Sequence, residues 1–206
     1  MAGHGGLVVL GGTMGAYDAG HYPWLLPTQR LIAEAVVQET PFLGLCLGHQ
    51  LAAVALGGSV TLRPQGPSRG LVPMTGTEQL ADDPLFRGMP RQGPTVAFNA
   101  DVVDTLPRGA VVLGRDPFGH PHLVRYAPRA WGAQFHPEVT SAMFAAWARM
   151  KAVSEAEAEE AAAMITEVST ALPRIDTLWQ TTMRSFFRQV RGPGHEHGGH
   201  GDRGET

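Results

Sequence analysis

The only cysteine of the chain, Cys46, lies in a sequence that suits a reactive thiol. An apolar run over residues 41–45 enters the motif Gly44-x-Cys46-x-Gly48, and a helical pattern follows. The turn of a nucleophile elbow crowds the backbone, so small residues are needed two positions before and after the nucleophile. The amides at the N-terminus of the following helix favour a thiolate. The alternative is that Cys46 is a small buried apolar residue.

A base for this thiol is found much later, in Trp131-Gly-Ala-Gln-Phe-His136-Pro-Glu138. Residues i and i+2 of an extended segment point the same way, so Glu138 can orient the His136 ring while the other ring nitrogen faces the thiol. Each side chain alone is better explained as a polar residue at a strand end. Together with the elbow, they predict a catalytic triad of Cys46, His136 and Glu138.

A glycine-rich turn follows the first apolar run, in Leu10-Gly-Gly12-Thr-Met-Gly15. We predict that the backbone amides of Gly12 and Leu47, the residue after the nucleophile, form an oxyanion hole. Phosphate binding is the rival role. The turn lacks the Gly-Lys-Ser/Thr ending of a P-loop and the full dinucleotide fingerprint, which makes that role weak.

The elements that must position these groups are predicted from hydrophobic periodicity. Short apolar runs bounded by Gly, Pro or Asp predict strands, and 3.6-residue periodicity predicts helices. The strands cover residues 7–10, 42–45, 95–98 and 110–113, and the helices cover residues 24–38 and 51–56. The early alternation predicts an α/β fold with an open, mostly parallel sheet and helices on both faces. Residues 59–135 are rich in strands and predict a mixed or antiparallel extension of that sheet.

The C-terminal part of the chain has helical patterns. Ser154 and Glu157 predict a capping box at the start of one helix, and a second helix is expected to begin near Pro173. Its apolar stripe is typical of packing on the parent core. We therefore divide the chain into a catalytic domain, residues 1–150, and a helical extension, residues 151–191.

Residues 192–206 form a Gly- and His-rich tail without periodic apolar residues, which predicts disorder. The tail contains His195, His197 and His200, which could bind a metal only with further ligands held in a fold. We therefore assign the chain neither a metal nor another cofactor.

Composition limits the classes of partner. The net charge is -3 and the sequence pI is near 6.3, so no basic surface for nucleic acid or an anionic membrane is expected. The chain has no apolar run long enough to span a bilayer and no signal-peptide pattern, and a single cysteine suits a reducing compartment. These features predict a cytoplasmic protein with a small-molecule ligand.

The motifs together resemble those of the class I (triad) glutamine amidotransferase family, in particular its GMP synthetase-like stand-alone domains. The resemblance spans residues 6–140 and rests chiefly on Gly44-Leu-Cys-Leu-Gly-His-Gln50 and Phe135-His-Pro-Glu138. The glycine-rich turn and Asp83-Pro-Leu-Phe86 are similar to secondary motifs of the family. The resemblance implies a flavodoxin-like sheet, a glutamyl thioester on the cysteine and ammonia as the first product.

The resemblance also implies substrate residues. It implies that Gln50 helps to hold glutamine, although the residues alone are equally consistent with a solvated or capping side chain. His49 we interpret as structural. Where the family usually has His-Gly-Asp, this chain has Phe98-Asn-Ala-Asp101, so Asn99 and Ala100 are expected to line an altered pocket.

Two other departures concern partners. The N-terminal strand–helix unit of the family is not found ahead of the first apolar run, which predicts either a truncated start or an exposed sheet edge covered by a partner or in a homodimer. No acceptor domain follows the triad, so the ammonia acceptor is expected to be a separate synthetase subunit. Its identity is not encoded here.

Three functions remain open from the sequence. The first is hydrolysis of the glutamine side-chain amide to supply ammonia to an acceptor. The second is hydrolysis of other γ-glutamyl compounds, because the same triad would cleave any γ-glutamyl amide that fits the pocket. The third is a non-catalytic regulatory domain, which predicts ordinary thiol reactivity at Cys46.

Overall fold

The structure is a computed structural model that describes residues 4–191. In this part of the chain the helices are α1 (Leu25–Val37), α2 (Leu47–Ala55), α3 (Ser141–Lys151) and α4 (Glu155–Arg191). The strands are β1 (Leu7–Val9), β2 (Phe42–Leu45), β3 (Ser59–Leu62), β4 (Ser68–Gly76), β5 (Gln92–Asn99), β6 (Asp101–Thr105), β7 (Val111–Arg115), β8 (Pro121–Ala127) and β9 (Ala130–Ala133). Single turns of 3-10 helix lie at Asp18–Gly20 and Glu78–Leu80.

A mixed sheet forms the centre of the molecule, in the order β1-β2-β9-β8-β7-β4-β5. Strands β1, β2 and β9 run parallel, and each remaining pair is antiparallel. Strands β3 and β6 form a separate antiparallel pair. The α/β fold class is confirmed, and the strand-rich centre does form the mixed extension that was predicted.

The parallel part positions the site. Strand β2 is buried on both faces between its two parallel neighbours, which explains its continuous apolar run. In the register of β2 and β9, Gly44 lies opposite Gly132 and Leu45 lies opposite Ala133. The carboxyl ends of β1, β2 and β9 therefore meet at one edge of the sheet. Ligands of open α/β sheets commonly bind at that edge.

Helices cover both faces of the sheet, as predicted. Phe42 points to the face that α1 and α2 cover with Ile32 and Leu51, whereas the next residue, Leu43, points to the opposite face. There α3 and α4 supply the other core, which includes Phe144 and buried residues along α4. The alternation follows from the two-residue period of a strand.

The C-terminal segment is one helix, so the expected second start near Pro173 is wrong. Pro173 lies inside α4, although a proline in a helix interior costs about 3 kcal/mol. Apolar residues on both sides of it pack into the same core, which favours a continuous helix: Val168, Leu172, Ile175 and Trp179. The predicted capping box is confirmed, because Ser154 Oγ lies 3.1 Å from Glu157 Oε2 and accepts from the Glu157 amide at 3.3 Å.

The predictions for the C-terminal tail and for membrane-spanning segments can be compared with the structure only over residues 4–191. The tail, including His195, His197 and His200, lies beyond them. Between residues 4 and 191, no helix combines the length and the apolar character that crossing a bilayer would demand.

Candidate active site

Cys46 occupies a strained turn between β2 and α2. Its backbone has φ 49° and ψ -104°, an unfavourable conformation for a residue with a side chain. A Cβ on Gly44 would lie 2.5 Å from the carbonyl of Gly48, and a Cβ on Gly48 would lie 2.1 Å from the Val9 oxygen. Both glycines are therefore required by the close approach of backbone to backbone, as the elbow motif predicts.

The structure brings His136 and Glu138 to this turn. The Cys46 amide donates to the Ala133 oxygen at 2.8 Å, and the His136 amide donates to the Val96 oxygen at 2.7 Å. His136 Nδ1 lies 2.8 Å from Glu138 Oε1, and the Cys46 side chain is close enough to the ring to raise its pKa. With Nδ1–H donating to the carboxylate, Nε2 is the ring nitrogen left for the thiol.

The charge state of His136 follows from these contacts. Burial disfavours its protonation, but the hydrogen bonds and charges of Cys46 and Glu138 outweigh burial and raise the pKa of His136 to about 10. An imidazolium beside a cysteine sulfur stabilises the thiolate form that acts as a nucleophile. Trp147 of α3 packs against the same ring, with centroids 5.0 Å apart and an interplanar angle of 65°. An aromatic neighbour of this kind also favours a cation.

The glycine turn after β1 lies against the pair. A Cβ on Gly11 would be 2.7 Å from His136 Cε1 and 3.5 Å from Cys46 Cβ. A Cβ on Gly12 would be 2.8 Å from Leu47 Cδ2. Leu47 is the first residue of α2, and first-turn amides have no acceptor within a helix. The two residues predicted for the oxyanion hole are therefore neighbours beside the thiol.

The predicted substrate residues lie around Asp101, at the start of β6. Gln50 is buried, and its Nε2 donates to the Asp101 oxygen at 3.1 Å. Asn99 Nδ2 donates to the same oxygen at 2.9 Å, whereas Asn99 Oδ1 is buried and has no hydrogen-bond partner among the described residues. Ala100 is exposed, and its oxygen accepts from the Arg63 amide. Their substrate roles stay predictions.

Sequence reasoning missed two neighbours of the triad, Gln134 and Trp147. Gln134 Nε2 lies 3.7 Å from Cys46 Sγ. The rule that pairs residues i and i+2 places Gln134 on the same side as His136, so that signal was available. The contact of Trp147 depends on how α3 packs, which no local pattern indicates.

His49 lies in the core behind the elbow, as its structural interpretation expects. It is fully buried, and its Nδ1 lies 2.9 Å from the Tyr126 hydroxyl. Burial, followed by the charge of His122, lowers the pKa of His49 to about 3. Between residues 4 and 191, His, Cys, Asp and Glu nowhere cluster in threes that could hold a metal ion.

Comparisons of this chain with known proteins agree on one family. A model of the family described as glutamine amidotransferase class-I matches residues 3–151. GMP synthase [glutamine-hydrolyzing] of Thermomicrobium roseum is 34% identical over 140 residues, which are 65% of this chain and 23% of that protein. One subunit of the GMP synthase from Methanosarcina barkeri is 34% identical over 103 residues, 50% of this chain and 52% of that protein. The chain thus spans about a quarter and about half of these relatives.

Two solved structures of glutamine amidotransferases have a fold similar to that of this chain. A glutamine amidotransferase from Thermotoga maritima is 28% identical, with a TM-score of 0.73 over 89% of this chain and 77% of that one. The fold is also similar to that of a glutamine amido transferase from Methylobacillus flagellatus, at 23% identity and a TM-score of 0.78, over 95% of this chain and 81% of that one.

Proposed function

Because the chain belongs to the class I glutamine amidotransferase family, we propose that it hydrolyses the side-chain amide of glutamine and delivers the ammonia to an acceptor enzyme. The observation that carries the proposal is the continuous contact from Cys46 through His136 to Glu138. A thiol, a base and an orienting carboxylate in this arrangement perform nucleophilic acyl transfer.

In the first half of the proposed reaction, the Cys46 thiolate attacks the carboxamide carbon of glutamine. The amides of Gly12 and Leu47 hold the oxygen that becomes negative. The His136 imidazolium gives its proton to the departing nitrogen, the C–N bond breaks, and ammonia leaves. The product on the enzyme is a glutamyl thioester.

In the second half, neutral His136 takes a proton from water, which attacks the thioester carbon. The C–S bond breaks, glutamate leaves, and the sulfur keeps the electron pair. Glu138 holds the imidazole in the required tautomer in both halves and stabilises the imidazolium. One glutamine and one water thus give one glutamate and one ammonia.

Substrate selection is proposed to lie at the corner formed by Gln50, Asn99 and Ala100. Asn99 Oδ1 is buried and has no hydrogen-bond partner among the described residues, so a ligand could use this acceptor if the corner opens around it. The same observation favours a second candidate, a hydrolase of other γ-glutamyl amides, because a changed acceptor set changes which amino-acid end is held.

A separate synthetase subunit is proposed as the ammonia acceptor, since the similar proteins include some that are single subunits of GMP synthase. The outer edge of β1 is unpaired among the described strands, and its Val8 is 41% exposed. A synthetase subunit or a second copy of the chain could cover this edge. The unpaired thiol suits the cytoplasm as the compartment.

The direct test treats the purified protein with a diazoketone analogue of glutamine, measures its intact mass, and separately assays ammonia release from glutamine. Cys46→Ala is the control. We expect one label per chain, lost in the variant, and ammonia release with glutamine. Labelling without ammonia from glutamine, but with turnover of another γ-glutamyl amide, would replace the first candidate with the second. Absence of labelling and turnover would overturn the enzymatic proposal.

A further inference from the structure

A second side chain besides His136 approaches the sulfur of Cys46. Gln134 lies two residues before His136, is only 1% exposed, and places its Nε2 3.7 Å from Cys46 Sγ. The backbone next to it is also tied to the elbow, because the Ala133 oxygen accepts from the Cys46 amide at 2.8 Å. Both contacts fix Gln134 relative to the nucleophile.

Hydrogen bonding determines which end of the Gln134 amide faces the sulfur. The Asp101 carbonyl can only accept, so the atom of Gln50 that lies 3.1 Å from it must be the amide nitrogen. That nitrogen also lies 3.3 Å from Gln134 Oε1 and donates its second hydrogen there. The oxygen of Gln134 is thus occupied, and its NH₂ group is directed at the sulfur.

An N–H donor in this place acts differently on the two forms of Cys46. A thiol is a weak acceptor, whereas a thiolate is an anion that gains from a charge-assisted hydrogen bond. The site is buried, which strengthens the interaction because water competes little for either partner. Gln134 carries no charge, so its NH₂ group remains a donor to the sulfur whether His136 is protonated or neutral.

On this geometry, and resting on the proposed glutamine hydrolysis, we propose that Gln134 is a further catalytic residue that donates a hydrogen bond to the Cys46 thiolate. It stabilises the nucleophile before attack. It acts again when the thioester C–S bond breaks and the sulfur takes the electron pair, together with the His136 imidazolium that forms when water gives up its proton. Gln50 is the positioning residue that holds the Gln134 amide in its donating orientation.

The experiment measures the rate of Cys46 alkylation by iodoacetamide against pH, from intact mass, since this small reagent does not depend on a glutamine pocket. Gln134→Met removes the donor at similar volume. Gln134→Glu keeps the acceptor for Gln50 and puts a carboxylate oxygen where the NH₂ group was. Gln38→Met is the matched control, because Gln38 is exposed and its side-chain amide donates to Glu34 at the end of the same helix.

We expect the pH midpoint of alkylation to rise by about one unit in Gln134→Met, as for the loss of one charge-assisted hydrogen bond, and by more in Gln134→Glu. The rate at the high-pH plateau is expected to stay within about threefold of the parent, because the fully formed thiolate no longer depends on the donor. Gln38→Met should reproduce the parent profile. If Gln134→Met does not fold, Gln134→Glu alone decides.

An unchanged midpoint in the folded Gln134 variants would overturn the inference, and so would a rate lowered equally at every pH, which indicates a merely structural effect. Ammonia release by the parent separates this result from the main proposal. If the parent releases ammonia and the variants keep its alkylation midpoint, only the role of Gln134 fails. If the parent releases none, the proposed function fails.

Discussion

Two buried polar clusters lie along strand β9 and just after it, and they differ in how fully their polar groups are hydrogen bonded. The first, here called the Asp83 anchor, consists of Asp83, Arg125 and Trp131. Asp83 is fully buried, and it accepts from Trp131 Nε1 at 3.1 Å, Arg125 Nη1 at 3.3 Å and two backbone amides. Each carboxylate oxygen therefore has a donor, as expected of a charge retained for stability.

The second, here called the catalytic corner, consists of the proposed catalytic residues Cys46, Gln134, His136 and Glu138. The proposed nucleophile, Cys46, has a positive φ, and Glu138 Oε2 is buried without a hydrogen-bond partner among residues 4–191. Strain and unmet hydrogen-bonding capacity are typical of groups arranged for a reaction. The contrast supports the proposal that one cluster stabilises the fold and the other carries out chemistry at some cost in stability. Four predictions test that division.

The largest expected effect is on activity at Cys46. Cys46→Gly removes the nucleophile, so ammonia release should fall on the order of 10⁴-fold or more. Glycine accepts a positive φ, so the free energy of unfolding should fall by no more than about 1 kcal/mol or should rise. Urea unfolding and an ammonia assay measure the two quantities. Cys46→Ala, which keeps the strain, should be the less stable variant; the reverse order would contradict strain at the elbow.

The Asp83 anchor should respond in the opposite way. Asp83→Ala leaves Arg125 and Trp131 without their buried acceptor, and the free energy of unfolding should fall by about 3 to 5 kcal/mol. At a temperature where the variant remains folded, ammonia release per folded molecule should stay within a few-fold of the parent. A loss of activity comparable to that of Cys46→Gly would show that the two clusters are not separable.

Acid should weaken the core before it affects the catalytic pair. Burial, partly offset by Asp116 and reinforced by Arg63, lowers the pKa of His122 to about 4, and that of His49 is about 3. Unfolded histidines titrate near 6.5, so these two bind protons only on unfolding between about pH 6.5 and 4. Their contribution is complete above pH 6.5 and is lost as pH falls.

Folded His136 stays protonated over that window because its pKa is raised, and the unfolded residue becomes protonated as pH falls through about 6.5, so His136 adds only a small slope of the opposite sign. We expect the free energy of unfolding to fall by about 2 to 4 kcal/mol between pH 7 and pH 5. Urea titrations at each pH measure this, and His122→Gln should roughly halve the slope. Equal slopes in parent and variant would refute the assignment to His122.

The smallest expected effect concerns the support of the catalytic ring. Trp147→Leu removes the aromatic contact with His136, and kcat for ammonia release should fall about 3- to 10-fold, in line with an aromatic or cation–π contact of about 1 kcal/mol. The upper pH limit of activity should also move down. Trp24→Leu, at a 45% exposed tryptophan, is the matched control. Equal effects at both positions would remove Trp147 from the catalytic corner.

The site could be predicted from sequence where the geometry is local. The elbow needs small residues within two positions of Cys46, and Gly44 and Gly48 are in fact held by backbone contacts. The pairing of His136 with Glu138 follows from the two-residue repeat of an extended chain. The same repeat indicated Gln134, but recognising its role required knowing that β9 lies beside β2.

The helical region shows where local patterns mislead. Pro173 predicted a break because a proline removes a backbone donor and collides with the preceding turn. The structure instead continues α4 through it, since residues before and after the proline bury their apolar stripe in one core. Burial of an apolar stripe of this length stabilises the helix by more than a single proline destabilises it. The buried area depends on what the helix packs against.

Local sequence patterns were enough to identify the chemical groups, the elbow at Cys46 and the alternation that makes an α/β fold, because each depends on residues within a few positions of one another. Which distant groups meet, and that the thiol is buried, followed only from the tertiary structure. The parallel pairing of β2 with β9 brings His136 to Cys46, and the packing of α3 brings Trp147 to that ring. Contacts across such separations follow from strand order and register, which local periodicity does not encode.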